Sequence, residues 1–236
     1  MEPKIVKRGF VENDKKEFGQ ETLPKLKKAA EELFWLINRG YPIKSASTFV
    51  GNRYMFSERQ RIALVRAISP EASLKIRKEK EIKDSLKEKT VFIDGFNLII
   101  TLEVALSNST LIQCMDGTIR DLAGLRGTYR LIDKTYQAIE LIGEQLEKLQ
   151  IEKAIFYLDA PVSNSGRLKT TLLEYFSKRN FEIEVELVDN ADVLLEKLEC
   201  VVTSDAIILD KCKSWFNLIF QILQEKLPQI SYIHFL

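Results

Sequence analysis

From Thr90 onward, short apolar runs alternate with helix-length patterns. "TVFID", "KAIFYLDA", "FEIEVELV" and "CVVTSD" have the length and composition of strands. Between and after them, "NLIITLEVALS", "GRLKTTLLEYFSKRN", "ADVLLEKLE" and "SWFNLIFQILQEKL" repeat at helical spacing. Strands that alternate with helices predict an α/β sandwich, a mainly parallel sheet covered by helices. "TLIQCMD" reads as a further strand, with helical material after it through Gln150, and "ISYIHFL" as an extra strand.

Residues 21–88 read as helices only. Leu23, Leu26, Ala30, Leu33 and Ile37 share one helical face, with Gly40 as the stop. Ser57 and Gln60 stand in capping-box register, and Ser69 with Pro70 marks another helix start. The sequence therefore divides into a basic all-α domain, 1–88, and an α/β domain, 89–236. Charge follows the same division. Residues 1–90 hold 21 Lys/Arg and 13 Asp/Glu, a balance of +8; the remaining 14 basic and 21 acidic residues give −7. A polyanion-binding module beside a cation-binding one fits that asymmetry, as do two solvated faces that attract each other.

Three core strands end in aspartate: "VFID" at Asp94, "IFYLD" at Asp159 and "VVTSD" at Asp205. Asp192 opens the short helix before the last of them. In an open parallel sheet, ligands bind beyond the carboxyl ends of the strands. Four carboxylates on one rim repel and titrate upward unless a cation lies among them. Each aspartate alone also reads as a turn residue or helix N-cap. Oxygen ligands without histidine or cysteine select one or two Mg²⁺ or Mn²⁺ ions over zinc. The chain has one histidine, His234, and three scattered cysteines. Histidine triads, zinc cages and a disulfide framework are therefore excluded. No phosphate-binding P-loop, dinucleotide fingerprint, membrane span or signal peptide is evident, so a cytoplasmic location is the expectation.

"FIDGFN", "YLDA", "DVLL" and "TSD" together resemble the PIN-like nuclease superfamily, in particular its NYN branch, over residues 90–212. The resemblance implies a PIN-like fold and Mg²⁺- or Mn²⁺-dependent hydrolysis of RNA phosphodiester bonds. It implies Asp94, Asp159, Asp192 and Asp205 as catalytic, metal-holding carboxylates, with Asn97 in support. NYN proteins often carry a second aspartate two residues after the last; here "TSDAIILD" offers a carboxylate only at Asp210. The whole chain also resembles an archaeal family that pairs such a domain with a basic helical part, a resemblance that brings no activity with it.

Ser163, Asn164 and Ser165 precede a helix start with Arg167 in its first turn, a place where backbone N–H groups favour phosphate; an ordinary N-cap fits equally. Arg39, Arg53, Arg59 and Arg61, interleaved with Tyr41 and Tyr54, suit RNA as partner; the alternative is aromatic residues of a helical core and solvated arginines. "MDGTIRD" lacks the nucleophile of a dehalogenase-type phosphatase, which would fall on Cys114. Its Asp116, Arg120 and Asp121 either line the rim or cap and pair on a helix. "AGLRGTYR" holds a weak G-x-x-G. The expected function is a metal-dependent ribonuclease whose RNA is held by the helical module. The rivals are a PIN-like protein that binds RNA without cutting it and a metal-dependent phosphatase. A homo-oligomer stays open.

Overall fold

The computed structural model describes residues 6–124 and 127–235. The G-x-x-G stretch thus includes two residues, 125 and 126, outside the described ones. Five helices come first: α1 (Asp14–Glu17), α2 (Leu23–Ile37), α3 (Ile43–Arg53), α4 (Glu58–Ala67) and α5 (Glu71–Lys80). The apolar stripe of α2 is buried through Leu26, Ala30, Leu33 and Ile37. Ser57 opens α4 with the expected capping box: its hydroxyl accepts from the Gln60 N–H at 3.2 Å, and the Gln60 amide oxygen accepts from the Ser57 N–H at 3.0 Å. The start of α5 differs by one residue from expectation. Pro70 occupies the N-cap in an extended conformation, and the Ser69 hydroxyl instead accepts from the Arg77 guanidinium at 2.9 Å.

Then follow β1 (Thr90–Asp94), α6 (Gly95–Leu106), β2 (Leu111–Gln113), β3 (Ile119–Asp121), α7 (Asp133–Lys148), β4 (Lys153–Asp159), α8 (Ser165–Phe176), β5 (Glu182–Val188), α9 (Ala191–Leu195), β6 (Val201–Val202), α10 (Ala206–Lys211), α11 (Leu218–Lys226) and β7 (Ile233–His234). The four strands β5-β4-β1-β6 form a parallel sheet with β1 inside. This is the expected α/β architecture: a parallel sheet, helices against it, a helical region before it. Helix α6 is buried along nearly its whole length, which is why "GFNLIITLEVAL" reads as continuously apolar.

One sequence expectation fails. Helical material was expected from the end of "TLIQCMD" onward, but Ile119–Asp121 turns back as β3, antiparallel to β2. Gly117, at φ +82°, permits that reversal. Strand β7 then pairs parallel to β2 and completes a second, three-stranded sheet, so the C-terminal run is a strand as expected.

The expected boundary at 88 lies in the link between α5 and β1. The helices before it do not close their own core. Their buried cluster, with Leu33, Val50, Leu64 and Ile68, continues into Ile112, Cys114 and Leu122 of the second sheet region and into Phe235 at the C-terminus. Phe235→Ala should therefore cost about 3–5 kcal/mol in urea unfolding, the range for deleting a buried aromatic ring. A change under about 1 kcal/mol would mean that the second sheet does not anchor the helices.

Candidate functional site

Asp94 is at once the last residue of β1 and the N-cap of α6. Its Oδ1 accepts from the Asn97 N–H at 3.3 Å and its Oδ2 from the Thr203 hydroxyl at 2.8 Å. Helix α6 begins close against β4: a Cβ on Gly95 would lie 2.6 Å from Leu158 Cδ2 and 3.1 Å from the Tyr157 carbonyl. The glycine after Asp94 is required by that approach. Asn97 fastens the neighbouring strand end, since its Oδ1 accepts from both the N–H and the hydroxyl of Ser204, each at 2.9 Å. The ends of β1 and β6 are thus joined by two side-chain links one helical turn apart.

Asp205 follows directly. It caps α10 through Oδ1, which accepts from the Ile207 N–H at 2.8 Å and the Ile208 N–H at 3.3 Å, while its own N–H donates to Thr203 Oγ1 at 3.0 Å. Asp159 ends β4, and its Oδ1 accepts from the Ala191 N–H at 2.9 Å. Asp192 is the second residue of α9 rather than its cap, which is Asn190. Asp94 and Asp205 are therefore helix caps, and Asp159 an acceptor for the first N–H of α9, while all are charges on one rim.

Their charges act on one another. Burial pushes the Asp94 carboxyl up to about 7, and the negative charges of Asp192 and Asp205 push the same way against the hydrogen bonds from Thr203 and Asn97. Asp192 is likewise raised, by desolvation and then by Asp205 and Asp159. The rim is a mutually repelling set gathered at the C-terminal ends of β4, β1 and β6. Among the described residues, no group of three or more His, Cys, Asp or Glu side chains is drawn together closely enough to hold a metal ion. Asp159 and Asp205 each keep an Oδ2 without a protein donor among those residues.

Two carboxylates expected in support lie elsewhere. Asp116 is buried between two guanidinium groups: Arg77 Nη1 at 2.6 Å and Arg120 Nη2 at 2.5 Å, with the Thr118 hydroxyl at 2.6 Å. Burial alone would push its pKa up, but Arg120, Thr118 and Arg77 outweigh it and hold the carboxyl below its ordinary value. Asp210 accepts from Arg77 Nε at 2.7 Å. Both belong to an ion cluster beside the rim that is buried at Asp116, Arg77 and Arg120 and partly exposed at Asp210. Its member Arg120 also donates to the Ser204 carbonyl at 2.6 Å, so it holds the residue before Asp205 in place.

The expected phosphate donors are engaged internally. Ser163 Oγ accepts from the Tyr129 N–H at 3.2 Å, Asn164 Nδ2 donates to the Tyr129 carbonyl at 2.6 Å and Ser165 Oγ donates to the Ala160 carbonyl at 3.3 Å. They fasten the start of α8, where Arg167 stays exposed. The basic residues of the helical region separate in the same way. Arg59 pairs with Asp14 at 2.5 and 2.7 Å and donates to the Leu122 and Gly9 carbonyls, a closed structural role. Arg61 donates to Phe56, Thr48 and Asn52 within its own helical neighbourhood. Arg39 lies 3.5 Å from the Trp35 ring centroid, and Arg53 is exposed, 3.7 Å from Glu32. Trp35, Tyr41 and Phe49 face solvent, so Tyr41 is a surface residue and not part of a helical core, while Tyr54 is partly buried and donates to Glu32. Sequence reasoning did not single out Thr203 or Ser204, which sit inside "TSD", next to the aspartate that drew attention. Arg120, read from "MDGTIRD" as lining the rim or pairing, does pair with Asp116 and also reaches the Ser204 carbonyl.

Asp94 supplies a stability signature without any ligand. A carboxyl raised on folding favours the folded state at low pH, and that stabilisation is lost as pH rises from the unfolded value near 4 to about 7. In chelator, Asp94→Asn should remove up to about 1.4 kcal/mol per pH unit of that decline and match or exceed wild-type stability above pH 7. Parallel slopes for the two proteins in pH-dependent urea unfolding would contradict a buried, raised Asp94.

Comparison with known proteins matches two family models. One described as "Protein of unknown function (DUF434)" covers residues 25–80, and one described as "Domain of unknown function (DUF5616)" covers 83–221. The two matches meet at the end of α5. A protein of Methanocaldococcus jannaschii, described as uncharacterized, is 38% identical over 186 residues, which cover 78% of this chain and 88% of that relative. No solved structure matches.

Proposed function

The chain belongs to the family of that domain of unknown function, DUF5616, and for this member of it we propose a metal-dependent ribonuclease with a PIN-like α/β domain. The observation that carries the reading is the repelling rim itself. A buried Asp94, raised by its burial and by the charges of Asp192 and Asp205, is an arrangement that a bound hard cation would relieve. The donor set is oxygen-only, which suits Mg²⁺ or Mn²⁺. Asp94, Asp159, Asp192 and Asp205 would hold one or two ions. When bound, such an ion polarises a phosphoryl oxygen and makes a water a better nucleophile at neutral pH.

This chain's own residues do the positioning. Thr203 fixes the Asp94 carboxylate by donating to Oδ2, and Asn97 fixes the Ser204 turn that presents Asp205. Asp205 Oδ1 is committed to the first turn of α10, which leaves Oδ2 to face the rim. RNA is the proposed partner, met by the exposed Arg39 and Arg53 with Trp35 and Phe49 as stacking surfaces; Arg59 and Arg61 are too occupied to serve.

One observation favours a second reading. Asp210, the next carboxylate after Asp205, accepts from Arg77 instead of joining the rim. A rim with one ligand fewer fits an RNA-binding protein that does not cut. The experiment that separates the two is metal-dependent cleavage of a mixed RNA pool together with melting curves. Mn²⁺ at a hundred times its dissociation constant should stabilise wild type by about 2.7 kcal/mol, because it binds only the folded state. Asp205→Asn should lose both that gain and the cleavage. A wild type whose melting temperature ignores Mn²⁺ would contradict the metal site; a gain without cleavage would favour the binding protein.

A further inference from the structure

Beside the rim, against Asp205, a cleft of about 350 Å³ opens between the helical region and the α/β region. Its walls include Val65 and Arg66 of α4, Phe96 and Asn97 of α6, and Asp205 with Ile207 at the start of α10. The two lips are held by one buried guanidinium. Arg120 donates to the Arg66 carbonyl on one side and to the Ser204 carbonyl on the other, while Asp116 takes its remaining nitrogen. Each of the three nitrogens of Arg120 is thus engaged with the protein, and the side chain is buried.

Arg66 is different. Its Nη1 donates to the Asp121 carbonyl, and the Asp121 carboxylate stands 3.7 Å away, already accepting from the Thr101 hydroxyl and the Ala123 N–H. Nε and Nη2 have no hydrogen-bond partner among the described residues, and the side chain is 36% exposed in the cleft. Asn97 adds a second donor. Because Ser204 donates twice to Oδ1, the amide is oriented, and Nδ2 is left without a protein partner among the described residues. Around these donors the lining is mixed: Phe96, Val65 and an Ile207 that is 59% exposed, together with Ser204 and the carboxylates of Asp121 and Asp205. Cationic and amide donors beside apolar side chains match a phosphate that carries a flat apolar base. The volume is near the lower end of the roughly 300–1,000 Å³ of ligand pockets, room for one nucleotide and not for a duplex.

We propose that this cleft seats one nucleotide of a single-stranded polynucleotide next to the carboxylate rim, with Arg66 as its phosphate clamp. The proposal rests on the nuclease reading of the rim and names the form of its substrate. A base enters such a cleft only when unstacked from its partner strand, which makes single strands the class bound. The helical region then completes the site: α4 contributes Arg66, a cation with free donors among the described residues, and the α/β region contributes the carboxylates.

The test uses the full chain and a short fluorescent single-stranded RNA in EDTA, so that binding is read without cleavage. Arg66→Ala should weaken binding about tenfold, the loss of one charge-assisted contact. It should also reduce the salt slope by about 0.7, as one phosphate contact disappears. Arg66→Lys should recover part of the affinity. Ile207→Ser should weaken binding about fivefold with the slope unchanged, since only apolar contact is removed. Wild-type affinity in both Arg66→Ala and Ile207→Ser would overturn the proposal. Should Arg66→Ala not fold, Ile207→Ser decides alone, because its side chain is on the surface. Tighter binding of a nucleoside monophosphate than of the RNA would overturn the polynucleotide assignment. Adding Mn²⁺ to wild type afterwards judges the rim separately: RNA that is bound through the cleft but left intact would sink the nuclease reading and leave the cleft standing.

Discussion

Arg120 holds the molecule's two halves in one geometry. Its guanidinium spans the Arg66 carbonyl of α4, the Ser204 carbonyl beside Asp205 and the Asp116 carboxylate of the β2–β3 turn. Asp116 in turn receives Arg77 of α5, and Arg77 reaches Asp210 of α10. Desolvating such a group of charges cancels much of their attraction, so the cluster adds little net stability. Removing one member is another matter, because the partner charge stays buried and unpaired at a cost of about 3–5 kcal/mol. What the cluster specifies is position. It fixes where the Asp205 turn sits relative to the helical region, and so it sets the width of the cleft between them.

The carboxylate rim obeys a different constraint. Parallel strands deliver Asp94, Asp159 and Asp205 to one edge; Asp94 and Asp205 cap the helices that follow them, and Asp159 accepts from the first N–H of α9. Capping lowers the cost of placing a carboxylate at a strand end, since backbone N–H groups supply the missing donors. It does not remove the repulsion between neighbours, which adds to burial in raising Asp94 and Asp192. Structural capping and metal binding are compatible here, because capping engages one oxygen and leaves the second on Asp159 and Asp205.

The strand-end aspartates were legible in the sequence because each closes an apolar run long enough to be a core strand. The second sheet was not. Its strands are two or three residues long, and β7 joins β2 across more than half of the α/β region, so no local period announces it. The same limit explains Asp116 and Arg59. "MDGTIRD" reads as rim or turn until Arg77 arrives from the other half of the chain, and Arg59 reads as a free cation until Asp14 closes on it. Charge counts describe what a segment carries; only the fold says which charges are already answered. For that reason the basic face proposed for RNA moved from Arg59 and Arg61 to residues that kept their solvent exposure.

The central claim is that the rim is a cation site shared by these aspartates. The most direct measurement is a crystal structure grown with Mn²⁺ and recorded at the manganese edge. The account predicts an anomalous peak among the Asp94, Asp159, Asp192 and Asp205 carboxylates, with the Asp159 or Asp205 Oδ2 atoms turned toward it. Strong manganese peaks elsewhere on the molecule, with the rim carboxylates left as they stand and no density among them, would contradict it.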